Sequence, residues 1–260
     1  MYHVTRIAVP MFILLTMQLA GFGQGADSNL EEQFNDSPKY RQLTKIAVAR
    51  NQAINEKRAL ILESHPQIIH PREARAVLLP LPDEDRNLII DKANEYLESS
   101  PRDWLGLAKA MDILSTDTPS KRAEKLVLKM FTATPYVKNP MYWSSIESGI
   151  RILAISGSPK ARDILVRLVK LPKGRSRDTK NLFPDLESSP DALRFASLVL
   201  YNFVLLAPVD SLEPFMKRIE GLYTPESGPG RVIEEQRLLV DKILGGDVDA
   251  TLETAGILSW

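Results

Sequence analysis

The chain has no cysteine in its 260 residues. A disulfide framework is therefore excluded, as is a lipid-modified cysteine behind an export signal. Net charge is lacking too, since Lys plus Arg and Asp plus Glu number 33 each. No global field draws the chain toward nucleic acid or anionic membrane, so a charged partner has to be met by a local patch. Histidines are few, three in all. His65 and His70, with Glu63 and Glu73 nearby, form the one cluster with metal-ligand chemistry. They sit in a proline-flanked bend rather than at i and i+4 on one helix face, so no metal and no cofactor is expected. Also missing are a P-loop, a Gly-x-Ser-x-Gly elbow, a dinucleotide fingerprint and a calcium loop. No stretch alternates apolar and polar residues as a strand does, and no Asn-Gly hairpin turn occurs. What is left is an all-α chain.

Apolar residues make up 44% of the sequence, enough for a sizeable core in one large domain or two small ones. Residues 1–25 read as a signal peptide. Arg6 supplies the positive charge, Ile7 to Phe22 is almost unbroken apolar sequence, and Gly21, Gly23, Gly25 and Ala26 offer small residues for cleavage. The apolar run is interrupted by Pro10 and falls short of the roughly 20 residues that a membrane span needs. The expectation is an exported protein, periplasmic or extracellular, with no stable membrane insertion after cleavage. Residues 26–36 follow as a polar tether.

Residues 37–98 form an irregular N-terminal helical cap. Ser37 to about Leu62 reads as a long helix with an inward stripe of Leu43, Ile46, Ala47, Ile54, Leu60 and Ile61, ended by His65-Pro66. Pro71 to Leu79 suggests a short helix. Asp83 then caps another, with Leu88, Ile89, Ala93 and Leu97 facing inward. Polar-Pro starts recur at Ser100-Pro101, Thr118-Pro119, Asn139-Pro140, Ser158-Pro159 and Ser189-Pro190, each with helical periodicity behind it. Arg231 to Leu244 is a last amphipathic helix after the break Ser227-Gly228-Pro229-Gly230. Residues 247–260 form a short C-terminal tail.

Within 99–246 an apolar skeleton repeats. Trp104, Leu107, Met111 and Leu114 recur as Trp143, Ile146, Ile150 and Leu153, every one 39 positions later. Ala123, Leu126, Val127 and Met130 recur as Ala161, Ile164, Leu165 and Leu168, 38 positions later. Ala196, Val199, Phe203 and Leu206, then Leu212, Phe215, Met216 and Ile219, repeat the pattern after a loop from Pro172 to Ser189. A period near 40 built of paired helices marks an α-solenoid, whose units bury their faces only by stacking. Trp104 and Trp143 are read as core.

The segment Glu147 to Leu171 resembles HEAT-like repeats. It has a first helix through Ile150, Ile152 and Leu153, the turn Ser156-Gly157-Ser158-Pro159, and a second helix carrying Ala161, Ile164, Leu165, Leu168 and Leu171. Trp104 to Met130 looks like a diverged copy. The resemblance implies a short α-solenoid of stacked helical hairpins acting as a protein-interaction scaffold. It also implies Asp–Arg stacking between units, for which Asp117 with Arg122 and Asp210 with Arg218 are available. The best-matching unit has Ser156 where an Asp is wanted.

The repeat register aligns Lys129, Arg167 and Arg218 along one edge of the second helices. Lys170, Lys173, Arg175, Arg177 and Lys180 extend this basic strip into the inserted loop. Such a strip suits an acidic segment of another envelope protein or an anionic cell-wall polymer, while cations near a helix C-terminus also offset the helix dipole. Nucleic acid is not expected, because the loop has few aromatics to stack bases. The alternatives are a structural accessory domain without a ligand site, or catalysis. For catalysis, Ser145-Ile146-Glu147-Ser148-Gly149 faintly resembles lytic transglycosylases, whose single Glu protonates a glycosidic oxygen. The Gly-Leu-Met-Gln stretch of that family is missing, and Glu147 also fits an exposed position between Ile146 and Ile150. The expectation is a non-catalytic protein.

Overall fold

A computed structural model describes residues 37–64, 73–133, 137, 139–173, 182–183 and 190–245. The signal-like segment 1–25, the tether 26–36, His65, His70 and the tail 247–260 lie outside the described residues. Every regular element among the described residues is helical. After one 3-10 turn, Pro38–Tyr40 (a second, Leu171–Lys173, lies later in the chain), come α1 (Arg41–Ser64), α2 (Glu73–Ala76), α3 (Asp83–Glu98), α4 (Trp104–Leu114) and α5 (Lys121–Ala133). They are followed by α6 (Pro140–Ser156), α7 (Pro159–Lys170), α8 (Pro190–Leu206), α9 (Val209–Ile219) and α10 (Gly228–Leu244).

Local chemistry explains several helix starts, because an N-cap oxygen satisfies backbone donors that the helix itself leaves open. The Asn139 carbonyl oxygen accepts from Met141 N at 2.8 Å, with Pro140 in the first turn. The Ser158 hydroxyl accepts from Ala161 N at 3.1 Å. The turn between α6 and α7 needs Gly157, whose φ of 57° is left-handed and whose missing Cβ would lie 2.4 Å from Pro208 Cδ.

Four starts differ from expectation. Asp83 does not cap α3 but is its first residue, with Pro82 in the cap place and no side-chain cap hydrogen bond. The chain turns through Ser99–Arg102, and Asp103 rather than Ser100 caps α4, its carboxylate accepting from Gly106 N at 2.9 Å. Helix α5 begins at Lys121, two residues beyond Pro119, where Ser120 takes the capping place. The Ser227–Gly230 sequence is the first turn of α10, not a break before it. Ser227 accepts from Gly230 N, and a Cβ on residue 230 would meet Thr224 O at 1.9 Å. Pro in a first turn starts a helix as readily as it interrupts one, which is why the spacing misleads here.

Packing bears out the apolar skeleton. Leu107, Met111, Ile146, Ile150, Leu153, Val199 and Phe203 are fully buried, as are Val127, Met130, Leu165, Leu168, Leu212 and Phe215. The tryptophans are the exception. Trp104 and Trp143 are half-buried rim residues packed against the core, and the fully enclosed ring is that of Tyr142. Trp104 lies 4.7 Å from the Tyr142 ring, and Trp143 lies 4.8 Å from Phe195 with the Arg194 guanidinium 4.0 Å over its face. Leu60 corrects another expectation. It stands 63% exposed, because only the first half of α1, through Leu43, Ile46 and Ala47, lies on the core beside Tyr40 of the preceding turn.

The helices follow one packing order. Helix α4 lies between α3 and α6, α6 between α4 and α8, and α8 between α6 and α10. On the other side α5 packs on α3 and α6, α7 on α6, α8 and α9, and α9 on α10. The inserted loop touches down at Leu182 and Phe183, both buried. Phe183 N donates to Phe131 O at 3.1 Å, and its ring stacks on Phe195 at 5.0 Å.

A polar strap crosses the C-terminal ends of α4, α6 and α8. Arg50, 8% exposed, donates through Nε to Thr116 Oγ1 at 2.5 Å and through Nη2 to Leu79 O at 2.5 Å and to Thr116 O. Lys57 donates to Leu78 O at 2.8 Å. Arg75 reaches Ile155 O at 3.4 Å and also Leu206 O. Leu81 N donates to the buried Asp117 carboxylate at 2.8 Å, and Arg86 Nε donates to the same group at 2.5 Å. Cations placed on the open carbonyls at helix ends satisfy both the hydrogen bonds and the dipole.

Candidate interaction surface

Exposed charge is carried by α3, α5, α7 and α9. On α3, Asp83, Glu84, Asp91, Glu95 and Glu98 are exposed. Helix α5 answers with cations: Arg122 Nη2 lies 2.9 Å from Asp91 and also binds Asn87, while Lys129 pairs with Glu98 and donates to Asn94 Oδ1 at 3.2 Å. On α9, Arg218 pairs with Asp163 of α7 at 2.6 Å. These pairs are exposed, so each contributes only about 0–1 kcal/mol and sets register more than stability.

The expected basic strip is thus divided among partners. Lys129 and Arg218 are each held by a carboxylate of a neighbouring helix. Arg167 and Lys170 are half-buried on α7, and Lys173 stands 5.2 Å from the Tyr223 ring. Arg175, Arg177 and Lys180 lie outside the described residues. The Asp117–Arg122 and Asp210–Arg218 pairs implied by the HEAT resemblance are not formed: Asp117 takes Arg86, and Arg218 takes Asp163. Ser156, where an Asp was wanted, donates to Glu124 Oε2 at 2.5 Å.

No family model, no curated protein and no solved structure matches this chain.

Glu147 is not an exposed residue. It is half-buried on α6. Burial raises its carboxyl above the ordinary carboxylate range, opposed by Arg151 and Arg194 and assisted by Asp112. Trp143 precedes it by one helical turn, and the indole nitrogen of Trp143 is buried with no hydrogen-bond partner. Among the described residues no group of His, Asp and Glu side chains is arranged to hold a metal ion.

A polar cluster at the opposite end of α3 and α4 was not foreseen. The Asp103 carboxylate accepts from Tyr40 Oη at 2.8 Å and from Lys39 Nζ at 2.6 Å, in addition to capping α4. Burial alone would raise this carboxyl, but the Lys39, Gly106 and Tyr40 donors outweigh it and hold it below the usual value. Tyr96, enclosed beneath them, is pushed up to about 12, chiefly by burial. Lys39 and Tyr40 lie 64 and 63 residues from Asp103, so no local pattern announces the contact.

Proposed function

We propose that this chain is a non-catalytic interaction scaffold, a short HEAT-like solenoid that presents its second helices to a partner in the cell envelope. The packing order supports the solenoid reading. Helices α4, α6 and α8 run as a row of first helices, α5, α7 and α9 follow them as second helices, and α1 and α3, both packed on α4, precede them as the cap. The observation that carries the reading is the set of ion pairs between outer neighbours, Asp91–Arg122 and Glu98–Lys129 joining α3 to α5 and Asp163–Arg218 joining α7 to α9. Ladders of this kind are what stacked hairpins use to fix their mutual register. Export rests on the character of residues 1–25. No helix among the described residues is long and apolar enough to cross a membrane.

Affinity capture from an extract of the source cell tests the scaffold. The unaltered chain and Arg167→Glu/Lys170→Glu are compared side by side. A stoichiometric partner held only by the unaltered chain is the expected result. Empty captures at low salt, where surface attraction is strongest, refute it.

One observation favours a second reading, a glycan-cleaving enzyme. Glu147 is a half-buried carboxyl with a raised pKa, which is what a general acid requires. That reading predicts turnover of purified peptidoglycan by the unaltered chain and none by Glu147→Gln.

A further inference from the structure

Trp143, Glu147 and Arg151 follow one another at intervals of four residues, so they form one stripe along α6. Arg194 reaches this stripe from α8 and lays its guanidinium 4.0 Å over the Trp143 ring. It forms no ion pair among the described residues. The ring also packs on Phe195 at 4.8 Å, and its nitrogen is buried. One helical turn further, the Glu147 carboxyl is half-buried and has neither an ion pair nor a side-chain hydrogen bond among the described residues. Two guanidiniums, of Arg151 and Arg194, thus act on a carboxyl that neither of them holds.

A carboxylate withdrawn from water and left unpaired is costly, whereas the neutral acid is tolerated at the same place. The stacked position of Arg194 therefore belongs with a neutral Glu147. Arg151 and Arg194 favour its ionisation, and Asp112 of α4 opposes it, with Lys109 one turn before Asp112. No group of α5 or α7, which also pack on α6, is among the charges that shift it. Trp143 and Glu147 are separated by about 6 Å along the helix, a distance that an arginine side chain covers by changing rotamer. Attraction to an indole face and a charge-assisted hydrogen bond are of similar strength, so one charge on Glu147 decides between them. A carboxylate has two oxygens and accepts Arg151 and Arg194 together, but only the move of Arg194 uncovers Trp143.

We propose that Arg194 is a two-position side chain, stacked on Trp143 while Glu147 is neutral and paired with Glu147 once it is ionised, so that pH sets whether the indole face at the α6–α8 junction is covered. The inference goes beyond the scaffold reading and does not depend on it. The direction follows from the burial of Glu147, which raises its carboxyl above the ordinary range. Below that raised value the ring is covered, and as pH rises through it Arg194 leaves the ring.

The test follows Trp143 by fluorescence in the full chain carrying Trp104→Phe/Trp260→Phe, which leaves it as the one tryptophan. Quenching by acrylamide, an uncharged probe, is measured from about pH 4 to 8, and circular dichroism establishes that each chain is folded throughout. The expected result is a single rise in quenching of about twofold, centred above the ordinary glutamate value of about 4.3. In this background Glu147→Gln, the neutral isostere, stays at the low level and Arg194→Ala at the high level. Arg151→Met keeps the rise and moves it to higher pH, because a favourable cation is lost. Asp112→Asn keeps the rise and moves it to lower pH, because an opposing charge is lost. No rise in a folded Glu147-containing chain overturns the proposal, as does a rise that survives Glu147→Gln or Arg194→Ala. A rise abolished by Arg151→Met assigns the carboxylate to its own helix and overturns it too. Should Arg194→Ala fail to fold, Glu147→Gln and the opposite shifts of Arg151→Met and Asp112→Asn decide.

Discussion

Arg50→Met tests the polar strap most directly. Methionine keeps much of the side-chain length and stays apolar, so the substitution removes donors while leaving little empty volume. Arg50 serves three acceptors, Thr116 Oγ1, Thr116 O and Leu79 O. Two of them retain other partners, since Thr116 Oγ1 donates to Ile113 O at 2.8 Å and Thr116 O also receives Leu79 N at 3.4 Å. Leu79 O has no second donor among the described residues. Hydrogen bonds from a charged donor are each worth about 1.5–3 kcal/mol, and an abandoned buried acceptor costs a similar amount. Against this stands the relief of burying a guanidinium, whose pKa is lowered chiefly by desolvation. The expected net loss is about 2–4 kcal/mol, or roughly 5–15 °C in melting temperature for a chain of this size. Arg50→Lys should recover only part of it, because an ammonium cannot reproduce the planar fork. Thermal melts followed by far-UV circular dichroism read the effect. A melting point for Arg50→Met within about 2 °C of the unaltered chain would refute the idea that the strap holds the helix ends.

Two further outcomes follow from the geometry. Asp103→Asn keeps the α4 cap but removes the charge and the second acceptor oxygen that Lys39 and Tyr40 use, so it should cost about 1–2 kcal/mol at neutral pH. Because the folded carboxyl titrates below the unfolded one, that contribution is present above about pH 4 and is lost as pH falls through the folded value. Urea unfolding of both chains should therefore converge in acid, and a gap that persists or widens there would contradict the assignment. Gly157→Ala places a Cβ against Pro208 at a left-handed residue, and should lower the urea midpoint by the equivalent of at least 1–3 kcal/mol. An unchanged midpoint would mean that the α6–α7 turn rearranges freely.

The sequence made the helices and their buried faces legible because burial on a helix leaves a periodic trace. Leu107, Ile146 and Val199 could be placed in the core from spacing alone. Helix starts were legible where the cap adjoined the proline, as at Asn139 and Ser158. They were misplaced where Asp103 or Ser120, one or two residues further on, offered a competing oxygen. The charged surface was legible in composition but not in pairing. Lys129 and Arg218 read as surface cations, yet their partners Glu98 and Asp163 lie 31 and 55 residues away. Nothing local encodes such a choice. The same holds for Arg50, Arg75 and the Lys39–Tyr40–Asp103 cluster, which are set by tertiary packing.

The strap also bears on how the row of helices is able to change over time. Arrays of paired helices grow or shrink by whole hairpins, since each unit touches only its neighbours. Here Arg75 grips the end of α8 across 131 residues of chain, and Ile155 at the end of α6 on the way. Inserting one hairpin between α4 and α8 would move Leu206 O away by a helix spacing of about 8–10 Å, beyond the reach of a single side chain. Deleting one would jam the strap against the neighbouring carbonyls. On the solenoid reading proposed above, Arg50, Arg75 and Arg86 therefore act as a ruler that admits one number of units, and a lineage that altered the number would have to lose the ruler first.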